Sequence, residues 1–138
     1  HGTYANILRR ETFTVSYPRP SQVVETSLAA SPRCGGEEKP ALAALQTIPA
    51  KRVDGVLLAG ASVFLECELD RIVDGFGVNS LIVGRVVAAR VAEDALRMED
   101  GDDPATVRNS PVLAYLYPDR FTSIEDSLSF PFPAGMKK

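Results

Sequence analysis

The sequence predicts a mainly β protein with short helices, and three segments carry that prediction. Residues Phe13 to Tyr17 alternate and are β-branched or aromatic, which is typical of a strand. Within Ser62 to Val73, apolar residues alternate with glutamates from Leu65 to Leu69, which predicts a strand with one buried and one solvated face. Residues Leu81 to Val91 are apolar almost throughout, so we expect a strand that lies centrally or across a subunit interface. The last two strands should pair as an antiparallel hairpin.

Short helices and turns are expected between these strands. Helices are predicted over Thr3 to Arg10, Ser21 to Ala30 and Lys39 to Gln46, the first two beginning at hydroxyl residues that suit an N-cap. Residues Asp74 to Gly77 predict the turn of the hairpin, since Asp-Gly tolerates positive φ. Residues Ala92 to Arg97 suggest one helical turn. These elements predict one domain over residues 1–138.

The C-terminal part offers three weaker patterns. The acidic run from Glu99 to Pro104 is a solvated loop rather than a calcium loop, because the remaining ligands of an EF-hand are missing. Residues Pro111 to Arg120 hold an apolar patch that must pack somewhere. Residues Phe130 to Pro133 cannot extend a helix or a central strand, so their aromatics should clamp onto the protein or a partner subunit.

Two residues inside the predicted hairpin have structural interpretations. Cys67 falls on the apolar face of its strand, so a small core residue is expected rather than a reactive thiol. Gly84 interrupts an apolar strand, which suggests a bulge, a bend, or the close approach of another backbone.

Composition excludes several functional classes. The chain has 138 residues, a formal net charge of −3, two cysteines and one histidine. The negative balance argues against nucleic acid as the main partner. One histidine, at position 1, and two distant cysteines leave little material for a zinc site, a histidine-based triad or a disulfide framework. No apolar run reaches the roughly 18 residues of a membrane span, so no membrane is expected. A reducing cytoplasm is the simplest compartment.

The residues by themselves specify no reaction. There is no histidine base within the chain, no convincing pair of carboxylates and no nucleophile elbow. A protein without reactive side chains can still be an enzyme when a cofactor carries the chemistry. We therefore predict no catalytic residue and no metal ligand.

An ordered series of motifs resembles the flavin reductase-like family. The series begins with Thr-Tyr-Ala-Asn-Ile at Thr3 to Ile7 and Phe-Thr-Val-Ser at Phe13 to Ser16, where Ser16 replaces the usual asparagine. Its strongest part is Leu-Glu-Cys-Glu-Leu from Leu65 followed by Leu-Ile-Val-Gly-Arg-Val-Val from Leu81. Gly-Glu-Glu-Lys at Gly36 to Lys39 and Pro-Val-Leu-Ala-Tyr-Leu from Pro111 complete it.

This resemblance implies an FMN-binding split β-barrel that works as a homodimer. The implied activity is that of an NAD(P)H-dependent flavin reductase, which passes a hydride from nicotinamide to FMN or, alternatively, FAD. A flavin-dependent monooxygenase is then a candidate partner. The alternative is a non-catalytic FMN-binding electron carrier or sensor. Family members begin with several more strands, so this chain corresponds to the C-terminal two thirds of the family domain. We expect it to be a piece of a longer protein. The alternatives are a short form that completes its sheet with a partner chain, and a structural dimeric fragment that does not bind flavin.

The resemblance also implies three cofactor-binding residues. Thr3 matches the family threonine, and its hydroxyl could donate to a phosphate at a helix N-terminus, with a simple helix cap as the alternative. Asn6 matches the family asparagine, whose role is either flavin contact or the capping of a neighbouring loop. Lys39 could reach a phosphate, and a solvated lysine is its ordinary interpretation.

Overall fold

The computed structural model describes residues 2–30, 40–96, 103–128 and 135 of the chain. Strands dominate this part of the chain, as predicted, and the helices between them are short. In chain order the elements are α1 (Gly2–Arg10), β1 (Thr12–Tyr17), a 3-10 turn (Pro20–Gln22), α2 (Val23–Ala30), α3 (Pro40–Ala43), β2 (Thr47–Pro49), β3 (Val56–Leu58), β4 (Val63–Phe76), β5 (Asn79–Val91), a second 3-10 turn (Glu93–Ala95), α4 (Asp103–Asn109), β6 (Val112–Leu116) and β7 (Arg120–Ile124).

The largest sheet has three antiparallel strands in the order β1-β4-β5. The predicted hairpin of β4 and β5 is confirmed, and the strand predicted at Phe13 to Tyr17 pairs with the first half of β4. Within the described residues β5 lies at an edge of this sheet rather than at its centre. The strands β2 and β3 form a second sheet and β6 and β7 a third, so the strands of the described ranges do not close into a barrel.

The Phe13 ring packs against the backbone of Gly84 on one face of the main sheet. A Cβ atom at position 84 would lie 2.7 Å from Cε1 of the Phe13 ring and 3.2 Å from Cβ of Cys67. Glycine is therefore required where the aromatic ring crosses the strand, and the pairing shifts register between Leu69 and Arg71, next to Gly84. Cys67 is buried there, which confirms it as a core residue.

The β2–β3 hairpin lies against the opposite face of the sheet and is held there by hydrogen bonds. Thr14 Oγ1 donates to the carbonyl oxygen of Val56 at 2.6 Å, and Ser16 Oγ accepts from the backbone N–H of Leu58 at 3.0 Å. Leu57, between these two contacts, is buried. Ser16 thus supplies an acceptor that fixes strand β3.

Glu66 lies on this same face, and its predicted solvation is wrong. Its side chain is only 2% exposed. The carboxylate accepts the backbone N–H groups of Lys51, Arg52 and Val53 at 2.6 to 3.3 Å, in the bend between β2 and β3. A carboxylate can be buried when such donors replace water. The alternation of residues was predicted correctly, but the polar face of the strand is covered by another hairpin.

Several predicted boundaries shift in the structure. β4 continues through Phe76, so the turn falls at Gly77 and Val78 instead of at Asp74 to Gly77. The predicted second helix is divided into two elements. A 3-10 turn spans Pro20–Gln22, and α2 follows it from Val23. The third helix spans only Pro40–Ala43, where the chain turns into β2.

The apolar patch after residue 111 forms the β6–β7 hairpin, which the sequence did not predict. Its aromatic pair, Tyr115 and Phe121, meets edge to face with ring centroids 5.3 Å apart. The predicted tail contact of Phe130 to Pro133 lies outside the described residues, as does most of the acidic loop. Among the helices of the described ranges, none is long and apolar enough to cross a bilayer.

Candidate functional site

A cavity of about 430 Å³ lies between the first turn of α1 and the far end of the β4–β5 hairpin. Its walls combine hydroxyl, amide and aliphatic side chains from two segments that are distant in sequence. The lining residues are Thr3, Tyr4, Val78, Asn79, Ser80 and Ile82.

The pairing of the main sheet explains why these segments meet. Strand β1 pairs with β4 only as far as Glu68, so beyond that residue β4 and β5 continue as a two-stranded ribbon. The backbone reverses at Glu11, where φ is 56°, and the N–H of Leu69 donates to the Glu11 carbonyl oxygen at 2.8 Å. Ile7 is the buried residue of α1. The helix therefore runs back along the ribbon and brings its N-terminus to the hairpin turn.

Asp74 connects the two walls of the cavity. Tyr4 Oη donates to Oδ2 of Asp74 at 3.3 Å, and Ser80 Oγ donates to Oδ1 at 2.6 Å. Loss of hydration, then the negative charge of Asp74 and the hydrogen bond to it, raise the pKa of the Tyr4 phenol. Tyr4 therefore stays a neutral donor at physiological pH.

Thr3 is exposed and lines this cavity as the second residue of α1. The helix begins one residue earlier than predicted, a difference within the usual uncertainty of helix boundaries. The first N–H groups of a helix have no partner inside it and favour a negative group. The first turn of α1 carries no acidic residue, and Arg9 and Arg10 occupy its last turn. Thr3 thus lies where a helix N-terminus meets a cavity.

The other two predicted site residues do not join Thr3. Asn6 is exposed, and its Oδ1 accepts from Nη2 of Arg9 at 3.3 Å within the same helix. It is not among the residues that line the cavity. Lys39 lies outside the described residues. The structure therefore brings one of the three predicted residues to the cavity.

Four residues of this site were missed by sequence reasoning. Tyr4 was seen only as part of a motif, Asp74 as a turn residue, and Asn79 and Ser80 received no role. A usable signal was present: polar residues at the turn of a long apolar hairpin are free to face a ligand. Which helix they would face could not be read from the sequence. Among the described residues, no group of three or more His, Cys, Asp or Glu side chains could hold a metal ion.

Comparison with solved structures shows that several proteins share this fold. The 2-nitrobenzoate 2-nitroreductase of Pseudomonas fluorescens superposes with a TM-score of 0.78 at 20% identity, over 99% of this chain and 66% of that chain. The flavoredoxin of Desulfovibrio vulgaris (Miyazaki F) gives 0.69 at 25% identity, over 97% and 70%. The FMN-binding protein of Thermus thermophilus gives 0.72 at 23% identity, over 94% and 66%. This chain therefore spans about two thirds of the length of these structures.

Sequence comparison is more specific. A search against curated proteins finds no match. The family described as "Flavin reductase like domain" matches residues 1–124, which is most of the chain, in agreement with the resemblance seen in the ordered motifs. The chain belongs to the flavin reductase-like domain family.

Proposed function

We propose that this chain is the flavin-binding part of an NAD(P)H:flavin oxidoreductase, and that the cavity between α1 and the hairpin turn holds part of the flavin. The family match over residues 1–124 supports a flavin as the cofactor. The cavity is the observation from which we propose which residues bind it. FMN is the proposed cofactor and FAD the alternative. The preference for a nicotinamide donor comes from the family resemblance.

The residues of the cavity fit such a ligand. Its volume of about 430 Å³ falls within the range of about 300 to 1,000 Å³ that is typical of small-molecule sites. Val78 and Ile82 offer apolar surface for a flat ring, while Thr3 and Asn79 offer hydrogen-bonding groups. Isoalloxazine and ribityl groups need that combination of apolar and polar contacts.

Thr3 is the residue to which we assign the phosphate contact. Its hydroxyl is exposed at the first turn of α1, where the free N–H groups add donors and a partial positive charge. Asn6, bonded to Arg9, is a weaker candidate. Lys39 remains a proposed contact on resemblance alone.

A bound flavin would supply the ability to accept a hydride from a reduced nicotinamide. The chain's own residues then bind and orient the reactants. The lining residues present hydroxyl, amide and aliphatic groups, so we assign them no acid or base step. An electron carrier or sensor is the second candidate, because solved structures that resemble this chain include flavoredoxins and an FMN-binding protein.

We also propose a homodimer. Apolar side chains at the end of the ribbon are open to solvent: Phe76 is 58% exposed, Val78 fully exposed and Leu81 56% exposed. We assign these exposed apolar side chains to the subunit contact, since apolar surface open to water favours association. Other proposed partners are a nicotinamide nucleotide and a flavin-dependent monooxygenase, the latter because similar structures include a monooxygenase component and a halogenase component. A reducing cytoplasm is the proposed compartment, in keeping with the free thiol of Cys67.

A fluorescence titration tests this proposal. We expect the purified protein to quench FMN fluorescence on binding and to accelerate NADH or NADPH oxidation when FMN is added. Thr3→Val should raise the dissociation constant about ten- to a hundredfold, since a hydrogen bond to a charged phosphate, about 1.5 to 3 kcal/mol, is lost. Thr122→Val, on exposed strand β7 far along the chain, is the matched control and should bind like the wild type.

Four outcomes distinguish the candidate functions and test the assignment of Thr3. Quenching with accelerated NAD(P)H oxidation supports the reductase. Quenching with no oxidation supports the carrier or sensor. Absence of quenching by the wild-type protein overturns the flavin proposal. Equal affinities of the Thr3→Val and wild-type proteins would remove Thr3 from the site.

A further inference from the structure

The carboxylate of Asp74 bridges two segments that the sequence separates by 70 residues. One oxygen, Oδ1, accepts from Ser80 on β5 at 2.6 Å, and the other, Oδ2, accepts from Tyr4 on α1 at 3.3 Å. Tyr4 and Ser80 both line the cavity. Asp74 thus joins the α1 wall of the cavity to the hairpin wall, to which it belongs itself.

The ribbon that Asp74 fixes has few other constraints. Its strand pairing shifts register between Val73 and Phe76, and Gly75 and Gly77 both have positive φ. Strand β1 no longer pairs with β4 beyond Glu68. An antiparallel ribbon of two strands is marginally stable in water by itself. A contact to α1 near its end therefore has a large influence on where the turn lies.

The remaining polar side chains of the cavity are not held by such contacts. Within the described residues, the Thr3 and Asn79 side chains have no hydrogen bond of their own, whereas Tyr4 and Ser80 are occupied by Asp74. Tyr4 and Ser80 thus fix the shape of the cavity, whereas Thr3 and Asn79 remain available to bind a ligand. This division of roles assigns Asp74 to geometry rather than to direct contact.

We propose that Asp74 is a positioning residue for the flavin site, and that its carboxylate sets the distance between the first turn of α1 and the hairpin turn. The proposal rests on the proposed function. Loss of the carboxylate releases both walls together, so the cavity widens and Thr3 and Asn79 move out of register with the flavin. An asparagine keeps one acceptor oxygen, and an alanine keeps none.

The test measures FMN affinity by fluorescence quenching in a graded series. We expect Asp74→Ala to raise the dissociation constant about tenfold and Asp74→Asn about threefold. Asp70→Asn is the matched control, since it removes the same charge from the same strand at a residue bonded to Arg71 and not lining this cavity. It should change affinity less than twofold.

A second arm separates positioning from general loss of structure. Tyr4→Phe and Ser80→Ala should each weaken FMN binding about two- to threefold in the wild type. In the Asp74→Ala background they should have no further effect, because the bonds that they remove are already absent. Equal effects in both backgrounds, or wild-type affinity of Asp74→Ala, would overturn the proposal.

A third measurement does not depend on flavin. Amide hydrogen exchange of residues 75–80 in the flavin-free protein should be about tenfold faster in Asp74→Ala than in Asp70→Asn. If the wild type binds no FMN, the proposed function fails, and this exchange rate still decides whether Asp74 holds the walls. Unchanged exchange would overturn the positioning role itself.

Discussion

Strand β4 carries two carboxylates with opposite surroundings. Glu66, near the middle of the sheet, is 2% exposed and accepts three backbone N–H groups from the bend at residues 51–53. Asp74, near the end of the same strand, is exposed and accepts from the side-chain hydroxyls of Tyr4 and Ser80. The Glu66 carboxylate binds backbone N–H groups, whereas the Asp74 carboxylate binds the hydroxyl groups of two side chains.

Because their surroundings differ, we expect the loss of each carboxylate to have a different consequence. Backbone donors at a buried carboxylate have no water to replace it, so its loss must be felt by the fold. Side-chain donors at an exposed carboxylate can turn to water, so its loss mainly changes local geometry. We therefore expect Glu66 to matter most for unfolding and Asp74 most for the cavity.

The largest expected effect is the loss of stability in Glu66→Gln. The amide keeps the size of the side chain but removes the charge and one acceptor oxygen, while the three N–H groups remain. We expect the melting temperature to fall by about 5 to 10 °C, as monitored by circular dichroism. Asp74→Asn should lower it by less than about 2 °C.

Glu68→Gln is the control for this comparison. Glu68 lies on the same strand and bonds Arg85 at 2.5 Å, but its side chain is 45% exposed. We expect a small change, as for other exposed ion pairs. If Glu68→Gln and Glu66→Gln melted together, burial on the backbone bend would not explain the role of Glu66.

Acid should remove the advantage of Glu66. The N–H groups of Arg52 and Lys51, with smaller help from Val53 and the charge of Arg90, hold its pKa below the ordinary value of 4.5. A lowered pKa in the folded state contributes stability above the unfolded pKa, and this contribution is lost as pH falls through the folded pKa.

The melting temperatures of the wild type and Glu66→Gln should therefore differ by a constant amount between pH 6 and 8, and converge below about pH 4.5. Thermal melts across this range measure the difference. A gap that widened on acidification would contradict the proposed direction of the pKa shift.

The β4–β5 hairpin could be predicted from the sequence, but the surroundings of its two carboxylates could not. The β4–β5 hairpin followed from the alternation at Leu65 to Leu69 and from the apolar run at Leu81, because side-chain periodicity is a local property. The burial of Glu66 could not follow from it. That burial depends on the β2–β3 hairpin, which begins far from Glu66 in sequence and was not predicted.

The site was predicted less completely than the fold, for a similar reason. Thr3 was predicted because the family motif marks it, and it lines the cavity, while its contact with a flavin stays a prediction. Asp74 was assigned to a turn, since Asp-Gly commonly makes one. Its hydrogen bond with Tyr4 could not be read from the sequence, because that contact arises only after Glu11 reverses the chain and α1 folds back along the ribbon.

Two glycines of the hairpin extend the comparison to packing. Gly84→Ala places a methyl group against the Phe13 ring, so we expect a loss of about 1 to 3 kcal/mol in the free energy of unfolding. Gly77→Ala has open space around the new methyl, and only its φ of 66° opposes alanine, so the loss should be about 1 kcal/mol. Urea denaturation measures both values.

The steric explanation of Gly84 can be checked with a second substitution. Phe13→Leu shortens the side chain that a methyl group at position 84 would meet, so it should recover part of the loss in the double variant. The same substitution should not help Gly77→Ala, which lies at the turn beyond the reach of Phe13. Strictly additive losses at positions 13 and 84 would rule out the proposed overlap.

The smallest expected effect lies in the titration of one phenol. Lost hydration, then the charge of Asp74 and its hydrogen bond, raise the pKa of Tyr4 above 10.0. Asp74→Asn removes the charge, so the Tyr4 pKa should move down toward 10.0 while Asp70→Asn leaves it in place. Absorbance titration near 295 nm, with Tyr4→Phe subtracted to isolate this residue, measures the shift. An unchanged Tyr4 titration in Asp74→Asn would mean that Asp74 does not bind the phenol in solution, and the contrast with Glu66 would then rest on burial alone.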